Sequence, residues 1–353
     1  MEFVGKKLKL IAVAATISLS SFNCASSSQS PLKCSQRLFF SNKVIFVSPN
    51  GKDTNQGLSP RKPLKSIKEA LKRAQPGDTI VLMTGTYHEN VKITKSGLPG
   101  KPITIVGEPG AEIKGNWKKG GRIIDIRASY IHIINLKIDG KIADGIYHDK
   151  LIYIHGNYKK HLKGIKILRN TLTNALGECL RIKFTENSTI SWNSISHCGI
   201  RDFVYNRGKQ NGEGIYVGTA PEQTPGKPDT TKNIYIFNNF IATYGAECVD
   251  VKEGTTNIHI KDNLCTQEKA PHVGGISIRG NGSYIEGNIV YGNEGAGIRL
   301  GGDTSKFGIN NTVVNNFLTA NKFAGIKIMA FPQKKINGNI IKEKRRVYIK
   351  ESK

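Results

Sequence analysis

Acidic residues are scarce in this 353-residue chain: 27 Asp and Glu stand against 52 Lys and Arg, a formal net charge of +25. A surplus of that size favours polyanionic partners through long-range attraction, leaving nucleic acid, anionic membranes and acidic polysaccharides to be separated. Methionine is nearly missing, with 3 residues, while glycine reaches 38. That balance argues against a helical bundle and for a turn-rich β architecture. The six cysteines (24, 34, 179, 198, 248 and 265) form no C-x-x-C pair and have no paired histidines, which argues against zinc. The N-terminal apolar run, Leu10 to Phe22, has 13 residues, where a membrane-spanning helix needs about 20. No transmembrane helix is expected. Hydrophobic residues still make up 38% of the chain, enough for a buried core.

The N-terminus reads as an export signal. Lys6, Lys7 and Lys9 precede the apolar run, and Cys24-Ala25-Ser26 supply small residues after it. Residues 1–25 are expected to be a signal peptide and 26–44 a linker. Removing 1–25 takes three lysines and one glutamate and leaves +23. Cys24 offers lipid attachment as an alternative, although Ser21-Phe22-Asn23 departs from the usual Leu-Ala-Gly. The expected location is secreted or periplasmic, where some cysteines can oxidise; the sequence does not give their pairing.

A short phrase recurs from residue 133 onward: apolar, two residues, Asn, one residue, apolar. It brings Asn170, Asn193, Asn239, Asn263, Asn288, Asn316 and Asn339 to equivalent places, at steps of 23, 46, 24, 25, 28 and 23. Leu136 holds the same frame one coil earlier. Returns at 20–30 residues with alternating strands between them predict an all-β solenoid, a right-handed parallel β-helix. Asn at a fixed place in each coil is expected to take the left-handed turn and to bond its stacked neighbour.

The segment before the repeat predicts a cap. Ile45-Phe46-Val47 reads as a strand. Ser66-Ile67-Lys68-Glu69 has the form of a capping box opening a short helix, with Ile67, Ala70, Leu71 and Ala74 on one face and Pro76-Gly77 ending it. Such a helix covers sheet edges that otherwise invite aggregation. Strands are expected at 79–83 and 103–106, with Gly85-Thr86-Tyr87 as a turn. A single β-helix domain over 45–345 and a basic tail at 346–353 complete the expected organisation, as a monomer. Loops at about 140–163, 201–212, 219–232 and 266–273 are expected to wall a binding site.

Each coil has a second strand, aligned by the pairs Leu180/Ile182, Ile215/Val217, Val249/Val251, Ile276/Ile278, Ile298/Leu300 and Ile326/Ile328. Between the pairs stand Arg181, Tyr216, Asp250, Ser277, Arg299 and Lys327; just after them Lys183, Gly218, Lys252, Arg279, Gly301 and Met329. Glu178, Glu213 and Glu247 lie two residues before. Coils about 4.8 Å apart would set these glutamates repelling one another unless a cation joins them, either Ca²⁺ on oxygen ligands or the neighbouring Lys183, Lys252 and Arg279. Lys252 beside Arg279 is a candidate base, since a neighbouring cation depresses a lysine's pKa. Strict alternation puts Glu247 and Lys252 on opposite faces unless the chain bends between them.

Asn211-Gly-Glu213-Gly-Ile-Tyr-Val-Gly218, Glu247-Cys-Val-Asp-Val-Lys252-Glu-Gly and Ile276-Ser-Ile-Arg279-Gly-Asn together resemble polysaccharide lyase family six, which contains chondroitinase-B-like and alginate lyases. The likeness runs loosely over about 45–330. It implies Lys252 as the base at C5 of a uronate, Arg279 as the arginine assisting the leaving oxygen, and Glu247 as a calcium ligand, with Asn211, Glu213 or Glu178 completing the set. Gly245 stands where that family usually has a second glutamate, and Gly280 where histidine is common. Arg181, Lys183, Tyr216, Asp250 and Arg299 are the expected substrate contacts, with Tyr216 either a proton donor or a sugar platform.

No Asp-Asp pair occurs in the chain, which argues against polygalacturonase-type hydrolases and lyases built on that motif. The Asp-Pro-His-Asp motif of alginate epimerases is absent too, and His272 reads as an ordinary loop histidine. No aromatic-basic nucleic-acid motif is present. The expected function is β-elimination on an alginate, glycosaminoglycan or pectic substrate. A uronan C5-epimerase and a non-catalytic polyanion-binding solenoid are the alternatives.

Overall fold

The structure, a computed structural model, describes residues 42–116, 121–207, 211–302 and 306–350. The expected signal peptide, Cys24, Cys34 and the linker before Asn42 lie outside the described residues. Each coil gives one short strand to each of three sheets, which hold 12, 10 and 10 strands among the described residues. All pairings between the named strands of these sheets are parallel; the short hairpin of Lys141–Ala143 with Ile146–Tyr147 stands apart. The result is the right-handed parallel β-helix that the repeat predicts.

Inward positions stack like with like. In the first sheet Ile80, Ile105, Ile133, Ile167, Ile190, Ile236 and Ile260 lie in register and are buried. β-branched side chains at every rung suit a pleated, fully covered surface, which is why these segments form strands despite their shortness.

The Asn ladder forms, with one correction. The Oδ1 of each Asn accepts from both the backbone N and the Nδ2 of the Asn one coil before, at 2.9–3.1 Å from Asn170 through Asn339. Leu136 N donates to Asn170 Oδ1, confirming its frame. The left-handed residue, however, is the one before each Asn: Arg169, Trp192, Asn238, Asp262 and Asn315 all have φ between 54° and 59°. Turning the chain at that residue leaves the ladder Asn to point inward. Asn193 to Asn239 is one coil of 46 residues, lengthened by insertions, since their strands pair directly.

The N-terminal helix, Ile67–Arg73, packs against Val44–Val47 and Val91–Ile93, the end strands of two sheets. Its predicted apolar face is buried. Only half of the capping box forms: Ser66 Oγ accepts from Glu69 N, while Glu69 turns to Arg73 at 2.8 Å. Glu89 takes the place of the missing half, accepting from the N–H groups of Ile67 and Lys68 at the positive end of the helix.

Three boundaries differ from expectation. Gly85–Tyr87 is a strand rather than a turn. The supposed loop at 140–163 contains a full rung, Lys150–His155, paired with Arg122–Ile126 and Leu180–Lys183. Val347–Ile349 extends the third sheet, the one that holds Lys150–His155 and Leu180–Lys183, beyond residue 345. Two disulfides, Cys179–Cys198 and Cys248–Cys265, tie the residues just before strands Leu180–Lys183 and Val249–Val251 of the third sheet to the segment just after strand Ser194–Ser196 and to strand Leu264–Thr266, both strands of the second sheet. No helix among the described residues is long and apolar enough to cross a membrane.

Candidate active site

The third sheet places the predicted pairs in register from Leu180/Ile182 through Ile326/Ile328, all facing inward. Its outward face continues N-terminally through Tyr153 and Asp125, two rungs the sequence reading missed. The pairs Ile124/Ile126 and Ile152/Ile154 carry the same signal, hidden by the hairpin inserted between them.

At the corner entering this sheet Gly214 and Cys248 are buried, so the chain bends there. The bend brings Glu213 and Glu247 onto the face that carries Asp250 and Lys252, against strict alternation. Carboxylate oxygens of Glu213, Glu247 and Asp250 all lie within 4.8 Å of one another. Lys252 Nζ sits 2.5 Å from Asp250 Oδ2; Arg279 Nη2 lies 3.5 Å from Glu247 Oε1 and 3.7 Å from Asp250 Oδ2. Asp250, expected as a substrate contact, is the third member of the acidic group.

Two expected ligands fall outside that group. Glu178 is held by Lys150 at 2.8 Å and Arg181 at 2.9 Å. Asn211 is exposed, its backbone N donating to Asp202. The departures at Gly245 and Gly280 have a steric cause: a Cβ at Gly245 would stand 2.2 Å from Cys198 O, and one at Gly280 2.1 Å from Thr255 Oγ1. No side chain fits at either place.

Four buried titratable side chains and the half-buried Arg279 set the electrostatics. Burial, with Glu178 and its other acidic neighbours, raises Glu213 to about 8. Burial and then Asp250 raise Glu247. Burial opposes the charge of Asp250, yet Arg279 and Lys252 hold it below the usual carboxylate range. Lys252 corrects the sequence expectation. Burial and Arg279 do push it down, but Asp250 outweighs them and keeps it above the ordinary lysine value. In this state Lys252 is a cation.

Cations and rings alternate along the face. Arg122 lies 4.0 Å from the ring centre of Tyr153, Arg181 4.4 Å from that of Tyr216, and Lys252 Nζ 4.7 Å from Tyr216 on its other side. Burial pushes the Tyr216 hydroxyl up, so it stays protonated at neutral pH. Arg299 is buried one rung past Ser277 and helps lower Asp250. Lys183 is half-buried in the column of Lys252. His272 is exposed in its loop, where its carbonyl accepts from Lys327 Nζ.

Glu268, absent from the sequence-based candidates, is fully buried behind Glu247, and its Oε2 accepts from Gly295 N. Burial raises it to about 8. Because the folded state holds this proton more tightly than the unfolded chain, its contribution is fully present below about pH 4.5 and is lost as pH rises through about 8. Glu268→Gln keeps the neutral form. Its melting temperature, relative to wild type, is expected to climb between pH 5 and 9, by the equivalent of roughly 3–5 kcal/mol. A constant difference across that range would contradict the assignment.

A β-helix with an outward strip of alternating cations, tyrosines and clustered carboxylates is the class of protein that the fold and site define. Residues 45–217 match the family model described as the Pel9A-like, right-handed β-helix region. The alginate lyase from Paenibacillus sp. str. FPU-7 superposes with a TM-score of 0.63 at 20% identity, over 80% of this chain and 95% of that one. Pectate lyase Pel9A superposes with a TM-score of 0.61 at 13% identity, over 87% and 80%. Both likenesses establish the fold. In sequence, the Bacillus subtilis (strain 168) protein YwoF is 28% identical over 163 residues, 46% of this chain and 28% of that protein. The matched segment thus spans less than a third of that relative.

Proposed function

We propose that the protein is a polysaccharide lyase that cleaves a uronate-containing polymer by β-elimination, and that it works outside the cytoplasm. The observation that carries this reading is the convergence of Lys252, Arg279 and three carboxylates on the outward face of one sheet. Two disulfides support export to an oxidising compartment. The two lyases of the same fold name alginate and pectate as substrate classes to test.

Glu213, Glu247 and Asp250 suit calcium: they are hard oxygen donors, three carboxylates face two cations, and Asp250 Oδ1 accepts no hydrogen bond. Calcium bound there would neutralise the uronate carboxylate and draw off the Asp250 charge that keeps Lys252 protonated. Lys252, once neutral, takes the C5 proton onto Nζ. The C5–H electron pair becomes the C4–C5 double bond as the C4–O bond breaks. Arg279 stabilises the charge that develops at the carboxylate and leaving oxygen, and it stays protonated throughout. The leaving oxygen takes its proton from Tyr216 or a water.

Calcium at a hundred times its dissociation constant is expected to stabilise the fold by about 2.7 kcal/mol. A thermal melt with calcium and with chelator measures this, and the difference should vanish in Asp250→Asn. The mass of the products tests the reaction itself. Elimination gives chains whose new non-reducing ends lack the elements of water, whereas hydrolysis gives fully hydrated ends. The close Lys252–Asp250 pair favours one second reading, a non-catalytic solenoid that binds acidic polymers without cutting them.

A further inference from the structure

Along the same face, two rungs from Lys252, lies a cavity that the elimination scheme does not use. It measures about 370 Å³, and its walls come from the turn after His155 and the insertion after Thr219. His155, Tyr158, Lys183, Phe184, Gln223 and Lys227 line it, and no carboxylate does. Lys183 is half-buried and, among the described residues, has no carboxylate at ion-pair distance. Asp229, which pulls on Lys183 electrostatically, is already saturated by Phe184 N, Thr231 N and the hydroxyls of Thr219 and Thr231. Lys227 Nζ stands 4.4 Å from the ring centre of Tyr158, an exposed platform.

The cavity is built rather than incidental. Arg181 Nη2 donates to Gln223 Oε1 at 2.8 Å, tying the insertion to the cation–tyrosine strip, and Asp229 pins its other end. Ile182 pairs with Val217 and Val217 with Val251, so Lys183, Gly218 and Lys252 follow one another down a single column. Lys183 therefore stands two rungs from Lys252, about 10 Å, roughly the span of two pyranose rings. Gly218 between them has φ 88°, and a Cβ there would meet Thr255 Cγ2 at 2.5 Å, so the groove floor carries no side chain at that rung.

We propose that Lys183, Lys227 and Tyr158 form a recognition pocket for an anionic substituent, carboxylate or sulfate, on a sugar about two residues from the one held at Lys252. The pocket rests on the reading of this strip as an acidic-saccharide site, and it deepens that reading. Two ammonium groups supply charge without the fixed fork of arginine, so they accept either anion. The tyrosine supplies a flat face for the ring, and the cavity is of ligand-binding size. The pocket makes recognition depend on chain length: a two-residue saccharide at Lys252 cannot reach it, whereas a four-residue one does.

Calorimetric titration in a Lys252→Arg background, where ligand is not consumed, tests this with oligouronates, sulfated glycosaminoglycan oligosaccharides and neutral cello-oligosaccharides of two and four residues. Lys183→Met with Lys227→Met should weaken a four-residue acidic ligand about tenfold or more and flatten its salt dependence, leaving the two-residue ligand unchanged. Tyr158→Ala, at an exposed position, should cause a smaller loss. Whichever acidic series shows the loss identifies the anion. Unchanged four-residue binding in variants that melt like wild type overturns the pocket, as does an equal loss for both lengths or for the neutral chains. A length-dependent loss with no double bond formed from any polymer by the wild type would keep the pocket and reject the lyase.

Discussion

Lys252→Ala is expected to lower the elimination rate by about a thousandfold, the scale of losing a positioned general base. Lys252→Arg separates the base from the charge. Arginine at 252 keeps a cation opposite Asp250, 2.5 Å from the lysine nitrogen in the native protein, and so preserves the buried pair. It cannot give up its proton at working pH. If Lys252 is the base, Lys252→Arg binds polymer as the wild type does and is as inactive as Lys252→Ala. If Lys252 only holds the substrate, Lys252→Arg retains most of the activity. The assay follows the ultraviolet absorbance of the unsaturated uronate, with melting curves to show that each variant folds.

The second large effect concerns the fold. Asn239 donates through Nδ2 to Ile190 O and Asn263 Oδ1, and its Oδ1 accepts from Asn193 N and Nδ2, all within 3.0 Å and all buried. Asn239→Ala takes the acceptor from Asn193 N and Nδ2 and one donor from Ile190 O and from Asn263 Oδ1, at about 1–3 kcal/mol for a buried group left orphaned. A loss of roughly 3–5 kcal/mol in urea unfolding is expected. Asn339, half-buried at the last rung, donates to Val313 O and supports only Asn316. Asn339→Ala should cost less than half as much, and equal costs would contradict cooperative stacking of the ladder.

The solenoid was legible because it repeats. A one-residue slip in any coil would expose its isoleucines, so the spacing of apolar pairs fixed the register of six successive rungs. Tyr153 and Asp125 escaped because the hairpin at residues 141–147 breaks the spacing, although their flanking isoleucines are plain in the sequence. The site was half legible. Lys252, Arg279, Glu213 and Glu247 do converge. That Asp250 joins the carboxylates depends on a bend at Cys248, and no periodicity reports a bend. The charge of Lys252 is not legible for a related reason: the sequence shows its neighbour Arg279 one rung away but does not reveal how closely Asp250 approaches. Glu178 looked equivalent to Glu213 and Glu247 until the missed rung supplied Lys150 as its partner.

The most direct test of the central claim is a time course of ultraviolet absorbance as the wild-type protein meets alginate, polygalacturonate and glycosaminoglycan, with calcium and with chelator. The account predicts a rise on at least one polymer, abolished by chelator and by Lys252→Arg. No rise on any of them, with salt-sensitive binding retained, would contradict it and leave a solenoid that holds acidic chains without cutting them.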